Sequence, residues 1–157
     1  MEVAIFAAGC FWGVQAVFDQ VKGVINTTVG YTGGHVKNSS YKDVCNKNTG
    51  HAEAVRIEFD EKKVSYEKLV GIFFMNHDPT TMNRQGPDVG EQYRSVIFYV
   101  NDKQKKIAEK GLNEYKKKLK KKIVTEITKA GEFYLAEDYH QKYYKTHNIT
   151  CHVKLAT

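Results

Sequence analysis

The chain reads as a two-layer α+β protein, one mixed sheet covered by helices. Three observations point there. Runs of period two alternate with runs at helical spacing along the chain. The 157 residues suffice for one domain with a sizeable core and are too few for two comfortable ones. Two long polar stretches interrupt the periodic runs, and loops of that length in a compact domain often carry function.

The elements follow in order. Residues 3 to 8 are short, apolar and strand-like, and residues 11 to 21 place Val14, Val17 and Phe18 at helical spacing. Val24 to Tyr31 is rich in β-branched residues and ends at Gly33-Gly34, which predicts a second strand. The chain from His35 to Gly50 is polar and reads as a long loop. Ala52 to Phe59 alternates, with Val55, Ile57 and Phe59 on one side and Ala54, Arg56 and Glu58 on the other. Ser65 is placed to cap a helix from Tyr66 to Met75 whose stripe is Leu69, Ile72 and Phe73. A second irregular stretch from Asn76 to Gln92 holds both prolines, Pro79 and Pro87. Tyr93 to Val100 alternates as a strand. Asp102 is read as the cap of a helix to about Lys121, with Ile107, Leu112, Tyr115 and Leu119 as its stripe. Ile123 to Lys129 reads as an edge strand, and Ala136 to Tyr144 as a short aromatic helix. The order β-α-β-β-α-β-α-β is that of a split βαβ, ferredoxin-like core with long loops left over to build a site.

Composition excludes several classes. Glu2 is acidic and the first apolar run is short, so no signal peptide is expected, and no run is long enough to span a membrane. A cytoplasmic protein is the default. Cys10, Cys45 and Cys151 are too few and too scattered for a disulfide scaffold, and no C-x-x-C pair suggests zinc. Three thiols in a reducing compartment suit redox chemistry better. The net charge of +6 resembles a nucleic-acid signal. However, residues 103 to 122 hold ten of the 24 basic and two of the 18 acidic residues, which leaves 14 basic against 16 acidic elsewhere. The basic character thus belongs to one solvated helix face.

The chemistry centres on Ala8-Gly9-Cys10-Phe11-Trp12-Gly13, where a buried strand should turn into a helix. Unpaired N–H groups and the dipole at a helix start favour an anion, so Cys10 is expected to be biased toward thiolate. Phe11 and Trp12 add apolar surface beside it; the plainer alternative is a small buried cysteine with two core aromatics. Tyr41, Glu53, Asp88 and Tyr93 lie in the irregular stretches or at strand starts. A carboxylic acid in an apolar pocket has a raised pKa and can donate a proton at neutral pH. Two tyrosine hydroxyls can hold a polar oxygen, and a thiolate can attack the atom that bears it. A thioester, a peroxide and a sulfoxide all meet that description.

Taken together, Gly9-Cys10-Phe11-Trp12-Gly13, Gly30-Tyr31-Thr32-Gly33-Gly34, Tyr41 through Cys45, Gly50-His51-Ala52-Glu53-Ala54, His77-Asp78-Pro79-Thr80, Asn83-Arg84-Gln85-Gly86 and Gln92-Tyr93-Arg94-Ser95 form an ordered set. The set resembles the peptide methionine sulfoxide reductase A family from residue 3 to about residue 145. Ala136-Glu137-Asp138-Tyr139-His140-Gln141 is similar to that family's closing segment.

The resemblance implies a single domain over residues 1–157, with 146–157 as a C-terminal tail. It assigns Cys10 as nucleophile, Phe11 and Trp12 as the wall for the substrate methyl group, and Glu53 as the acid. Tyr41 and Tyr93 become hydroxyls on the sulfoxide oxygen, and Asp88 a polar residue of the pocket. Pro87 stands where the family commonly has asparagine, a change expected to alter loop stiffness more than chemistry. Cys151 is the expected resolving thiol, with Cys45 the alternative. The implied reaction reduces the S epimer of methionine sulfoxide, free or in proteins, through a cysteine sulfenic acid and a disulfide that thioredoxin recycles. No metal or organic cofactor is implied, no nucleic acid or membrane, and a monomer is the default.

Two rivals remain open on the residues alone. One is a nucleic-acid module using the lysines of 103–122, against which no aromatics interleave with them. The other is a thiol peroxidase or thioesterase with the same nucleophile.

Overall fold

The computed structural model describes residues 1–35, 40–45 and 49–147. Its frame is β1 (Glu2–Ala8), α1 (Phe11–Asp19), β2 (Val24–Thr32), α2 (Tyr41–Cys45), β3 (Ala52–Phe59) and α3 (Tyr66–Met75). There follow β4 (Arg84–Gln85), β5 (Asp88–Val89), β6 (Ser95–Tyr99), α4 (Asp102–Leu119), β7 (Glu126–Lys129), β8 (Phe133–Leu135) and α5 (Tyr143–Thr146). Six strands form one mixed sheet in the order β7-β6-β1-β3-β2-β8, and β4 and β5 make a separate small hairpin. The pairs β1/β3, β1/β6, β2/β3 and β2/β8 are antiparallel, and β6/β7 is parallel. The architecture is therefore α+β.

Alternation along β1 feeds two apolar layers. Ala4, Phe6 and Ala8 point to the helix side, where Phe11, Val14, Phe18, Leu69 and Phe73 pack. Ile5 and Ala7 point to the reverse face, against Ala54, Val96 and Phe98. Phe6 anchors the main layer between Phe18 at 5.4 Å and Phe73 at 5.1 Å, ring centre to ring centre. Ser65 caps α3 as expected, its Oγ accepting from the Lys68 N–H at 3.0 Å.

Local boundaries differ from the sequence expectation in instructive ways. The cap of α4 is Asn101, not Asp102: the Asn101 Oδ1 accepts from the Gln104 N–H at 2.9 Å, and Asp102 is the first helical residue. The asparagine stands one residue earlier with extended backbone, the geometry a cap requires. The loop from 35 to 50 contains the short helix α2. Tyr93 lies in a 3₁₀ turn, Glu91–Tyr93, and the strand begins at Ser95. The closing aromatic segment is a 3₁₀ turn, Asp138–His140, followed by the one-turn α5, with the unforeseen strand β8 ahead of it. Gly30 permits β8 to pair, because a Cβ there would lie 2.3 Å from the Tyr134 carbonyl oxygen.

Candidate active site

Cys10 stands between β1 and α1 as the residue before the first helical turn, with φ −57° and ψ 122°. Gly9 makes the sharp entry possible: its φ is +96°, and a Cβ would collide with Gln85 at 2.7 Å. The helix start does direct Trp12 and Gly13 N–H groups at the sulfur, and they pull its pKa down. Burial, and next the carboxylate of Glu53, act the other way and win, raising Cys10 from its ordinary 9.0 to about 12. The balance thus favours the thiol at Cys10, against the expectation of a bias toward thiolate.

Glu53 lies on β3 opposite Tyr31 of β2 and is 1% exposed. Its Oε1 accepts from the Phe11 N–H at 3.2 Å, which ties the carboxyl to the residue after Cys10. Its Oε2 is buried with no hydrogen-bond partner among the described residues. Burial lifts Glu53 to about 8, and Asp88 pushes the same way against the Phe11 N–H. The group is a carboxylic acid at neutral pH, with an unused oxygen.

An aromatic wall stands beside this pair. Phe11 lies tilted at 5.6 Å from Tyr31 and stacked at 6.4 Å from Tyr41. Trp12 lies flat against Tyr143 at 3.8 Å and 6.5 Å from Tyr41. Asp88 sits on the small β4–β5 hairpin and joins Cys10, Gln85 and His77 around a cavity of about 280 Å³ floored by Val14, Val17 and Phe18. A larger groove of about 770 Å³ runs between α3 and α4 and touches none of the candidate residues.

The fold thus brings Cys10, Phe11, Trp12, Glu53, Tyr41 and Asp88 into one neighbourhood. Tyr93 arrives on the 3₁₀ turn that packs against β3, the strand that carries Glu53. Cys151 lies outside the described residues, and Cys45 is the last residue of α2. No group of three or more potential metal ligands occurs among the described residues.

Sequence reasoning missed the residues that brace the wall. Tyr31 donates its hydroxyl to Glu137 Oε1 at 3.1 Å, and the Tyr41 N–H donates to Glu137 Oε2 at 3.3 Å. Trp12 Nε1–H donates to His140 Nδ1 at 2.9 Å. The one available signal was the closing segment itself, a turn of Glu-Asp-Tyr-His-Gln more than 120 residues after Trp12 in the chain.

A half-buried thiol, an adjacent protonated acid and an aromatic wall describe a cysteine-based enzyme that works with acid assistance. The family model for peptide methionine sulfoxide reductase matches residues 2–157. The peptide methionine sulfoxide reductase MsrA of Methanosarcina acetivorans is 58% identical over 147 residues, covering 92% of this chain and 78% of that protein. The reduced form of Mxr1 from Saccharomyces cerevisiae superposes with a TM-score of 0.90 at 34% identity, covering 99% of this chain and 91% of that one. Mxr1 in complex with Trx2 matches with a TM-score of 0.65 at 25% identity, over 90% and 84%. The chain belongs to the peptide methionine sulfoxide reductase family.

Proposed function

We infer that this chain reduces methionine S-sulfoxide, free or in proteins, to methionine, with Cys10 as nucleophile and Glu53 as the proton donor. The observation that carries the reading is the Glu53 carboxyl, protonated at neutral pH, with its free Oε2 buried beside the residue that follows Cys10. A sulfoxide oxygen entering there accepts the Glu53 proton, and the Tyr41 and Tyr93 hydroxyls complete its cradle. Sulfur then gains positive character next to Cys10, which favours loss of the thiol proton despite burial. Phe11 and Trp12 hold the methyl group, and Asp88 lines the pocket. One oxygen clamp and one methyl wall select one epimer.

The atoms balance. The sulfoxide and the Cys10 thiol give methionine and Cys10 sulfenic acid, so the oxygen moves from substrate sulfur to cysteine sulfur. A resolving thiol, Cys151 with Cys45 as the alternative, condenses with the sulfenic acid to a disulfide and water. The Trx2 complex of the yeast relative supports thioredoxin as the reductant of that disulfide. The cycle requires no metal or organic cofactor. The chain acts as one reductase domain over 1–157, with 146–157 as its tail, in the cytoplasm and as a monomer. Strands β1, β2, β3 and β6 with α1 and α3 are its ferredoxin-like split βαβ core, supported by the β6-β1-β3-β2 order.

The test compares methionine sulfoxide, a peroxide and a thioester as substrates for the wild type, Cys10→Ser and Glu53→Gln. Preferred turnover of the sulfoxide, abolished in Cys10→Ser and slowed at sulfenic acid formation in Glu53→Gln, is the expected result. Full activity in both variants would end the reading. Cys151→Ser should complete one turnover and lose recycling by thioredoxin.

A further inference from the structure

His140 is among the most enclosed polar residues of the molecule, 1% exposed. Its ring is packed on four sides, 4.0 Å from Tyr139, 4.5 Å from Tyr41, 5.2 Å from Phe11 and 5.6 Å from Trp12. An indole nitrogen can only donate, so the 2.9 Å contact from Trp12 Nε1–H requires a bare lone pair on His140 Nδ1. In a neutral imidazole the proton must then sit on Nε2. That nitrogen is buried and has no partner among the described residues. An unmade buried hydrogen bond carries the full desolvation penalty of its group. The fold tolerates that penalty while keeping the acceptor turned toward Trp12.

The chain on both sides of His140 is pinned to the frame. Before it, Glu137 accepts from the Tyr31 hydroxyl and the Tyr41 N–H. After it, Gln141 acts as a substitute strand, accepting from the Val29 N–H at 2.9 Å and donating to the Val29 carbonyl at 3.0 Å. The Lys142 N–H then donates to Gln15 Oε1, and its Nζ to Asp19 and Thr27, each at 2.7 Å. His140 therefore reaches the indole from a fixed backbone, which makes it a rigid stop.

We propose that His140 is a positioning residue of the site: held as the Nε2–H tautomer, it locks the plane of the Trp12 indole and thereby the width of the pocket that admits the substrate's methyl group. The specificity arm of this proposal rests on the reductase reading above. A wall fixed by packing alone could swing by a rotamer. A wall also tied by a hydrogen bond to a pinned ring has one position, so a larger alkyl group meets a surface that does not yield. One added methylene in such a pocket is worth about 10–200-fold in discrimination.

Trp12 is the only tryptophan of the chain, so its indole N–H gives a single resonance that reports the lock directly. The experiment compares wild type, His140→Leu and His140→Gln. In His140→Leu the indole resonance should move upfield and exchange faster with solvent. KM for methionine sulfoxide should rise about tenfold with a smaller change in kcat, and the preference over ethionine sulfoxide should fall by about tenfold. His140→Gln, whose amide oxygen can accept from the indole, should recover most of both effects. An unchanged indole resonance together with unchanged methyl-over-ethyl selectivity in His140→Leu would overturn the proposal. Should His140→Leu fail to fold, nitrogen-15 spectra of the wild-type imidazole decide: a proton on Nδ1 sinks the lock, and one on Nε2 supports it. A wild type that turns over no sulfoxide would refute the reductase reading, while the tautomer and the indole signal would still decide the lock.

Discussion

Two buried polar clusters in this protein have opposite characters. His77 is half-buried, and both of its ring nitrogens are used: Nδ1 donates to the Phe73 carbonyl at 2.6 Å, and Nε2 contacts Ser95 Oγ at 2.7 Å. Ser95 in turn bonds Thr125 at 2.7 Å, so the chain ends in satisfied groups. Burial drives His77 down to about 4, and the ring stays neutral. Glu53 is more hidden, 1% exposed, yet one oxygen has no partner among the described residues and its proton is retained up to about 8. The first cluster fastens α3 to β6 and β7. The second keeps an unused donor beside the proposed nucleophile. Burial alone does not mark a site, and neither does an orphan atom alone, since the Tyr66 hydroxyl is also buried and without a partner among the described residues. The mark is an unmade bond on an acid next to a reactive sulfur.

The largest expected effect that tests this contrast is Cys10→Ser, which should lower sulfoxide reduction by about 10³-fold or more. Residual turnover near the wild-type level would place the nucleophile elsewhere. Glu53→Gln comes next, with a fall of about 10²–10⁴ in the rate of sulfenic acid formation, read in single-turnover kinetics. Its pH signature is specific. The wild-type rate should fall as pH rises through about 8, where Glu53 ionises, and Glu53→Gln should lack that step.

Stability should respond to pH in opposite senses at the two clusters. Glu53 has a raised pKa, so the native state holds a proton that the unfolded chain has lost between its ordinary 4.5 and about 8, and stability falls as pH rises across that window. His77 has a depressed pKa, so the unfolded chain takes a proton that the native state refuses between 6.5 and about 4, and stability falls as pH drops. Urea denaturation across pH should show the loss between 4.5 and about 8 disappear in Glu53→Gln and the loss between 6.5 and about 4 disappear in His77→Leu. His77→Leu should also lower stability by about 2–4 kcal/mol, because it leaves the Phe73 carbonyl and Ser95 without their partner. Because His77 also lines the cavity beside Cys10, the variant's sulfenic acid step per folded molecule should fall, but far less than in Glu53→Gln. A fall as deep as that of Glu53→Gln would erase the distinction between the clusters. The smallest effect belongs to α4: replacing Lys117 and Lys118 with Gln should move stability by no more than about 0.5 kcal/mol and leave turnover intact. Steep salt-dependent binding of nucleic acid that vanished in that variant would revive the rival reading.

Much of the scaffold was legible because it rests on local pattern. The alternation of Ala52 to Phe59, the Ser65 cap and the stripe of α3 are written in consecutive residues. The cap of α4 was displaced by one residue because Asn101 and Asp102 are both good capping residues, and only the backbone angle chooses between them. Strand β8 was missed because Phe133-Tyr134-Leu135 is three residues long and gains its partner only through Gly30. The thiolate expectation went wrong for a related reason. A helix start is visible in sequence, whereas the depth of burial and the approach of Glu53 come from distant strands.

By itself, the sequence singled out the candidate site residues, since Cys10, Glu53, Tyr41 and the aromatic pair stand in an ordered set of motifs. It also determined the α+β class, because hydrophobic period is a property of neighbours along the chain. Only the tertiary structure decided protonation. It buried Glu53 and half-buried Cys10 beside it, which favours the proton on both groups, and it brought His140 from the far end of the chain to accept the indole proton of Trp12. Desolvation and long-range hydrogen bonds depend on what the folded chain packs around a group, and no local pattern encodes that.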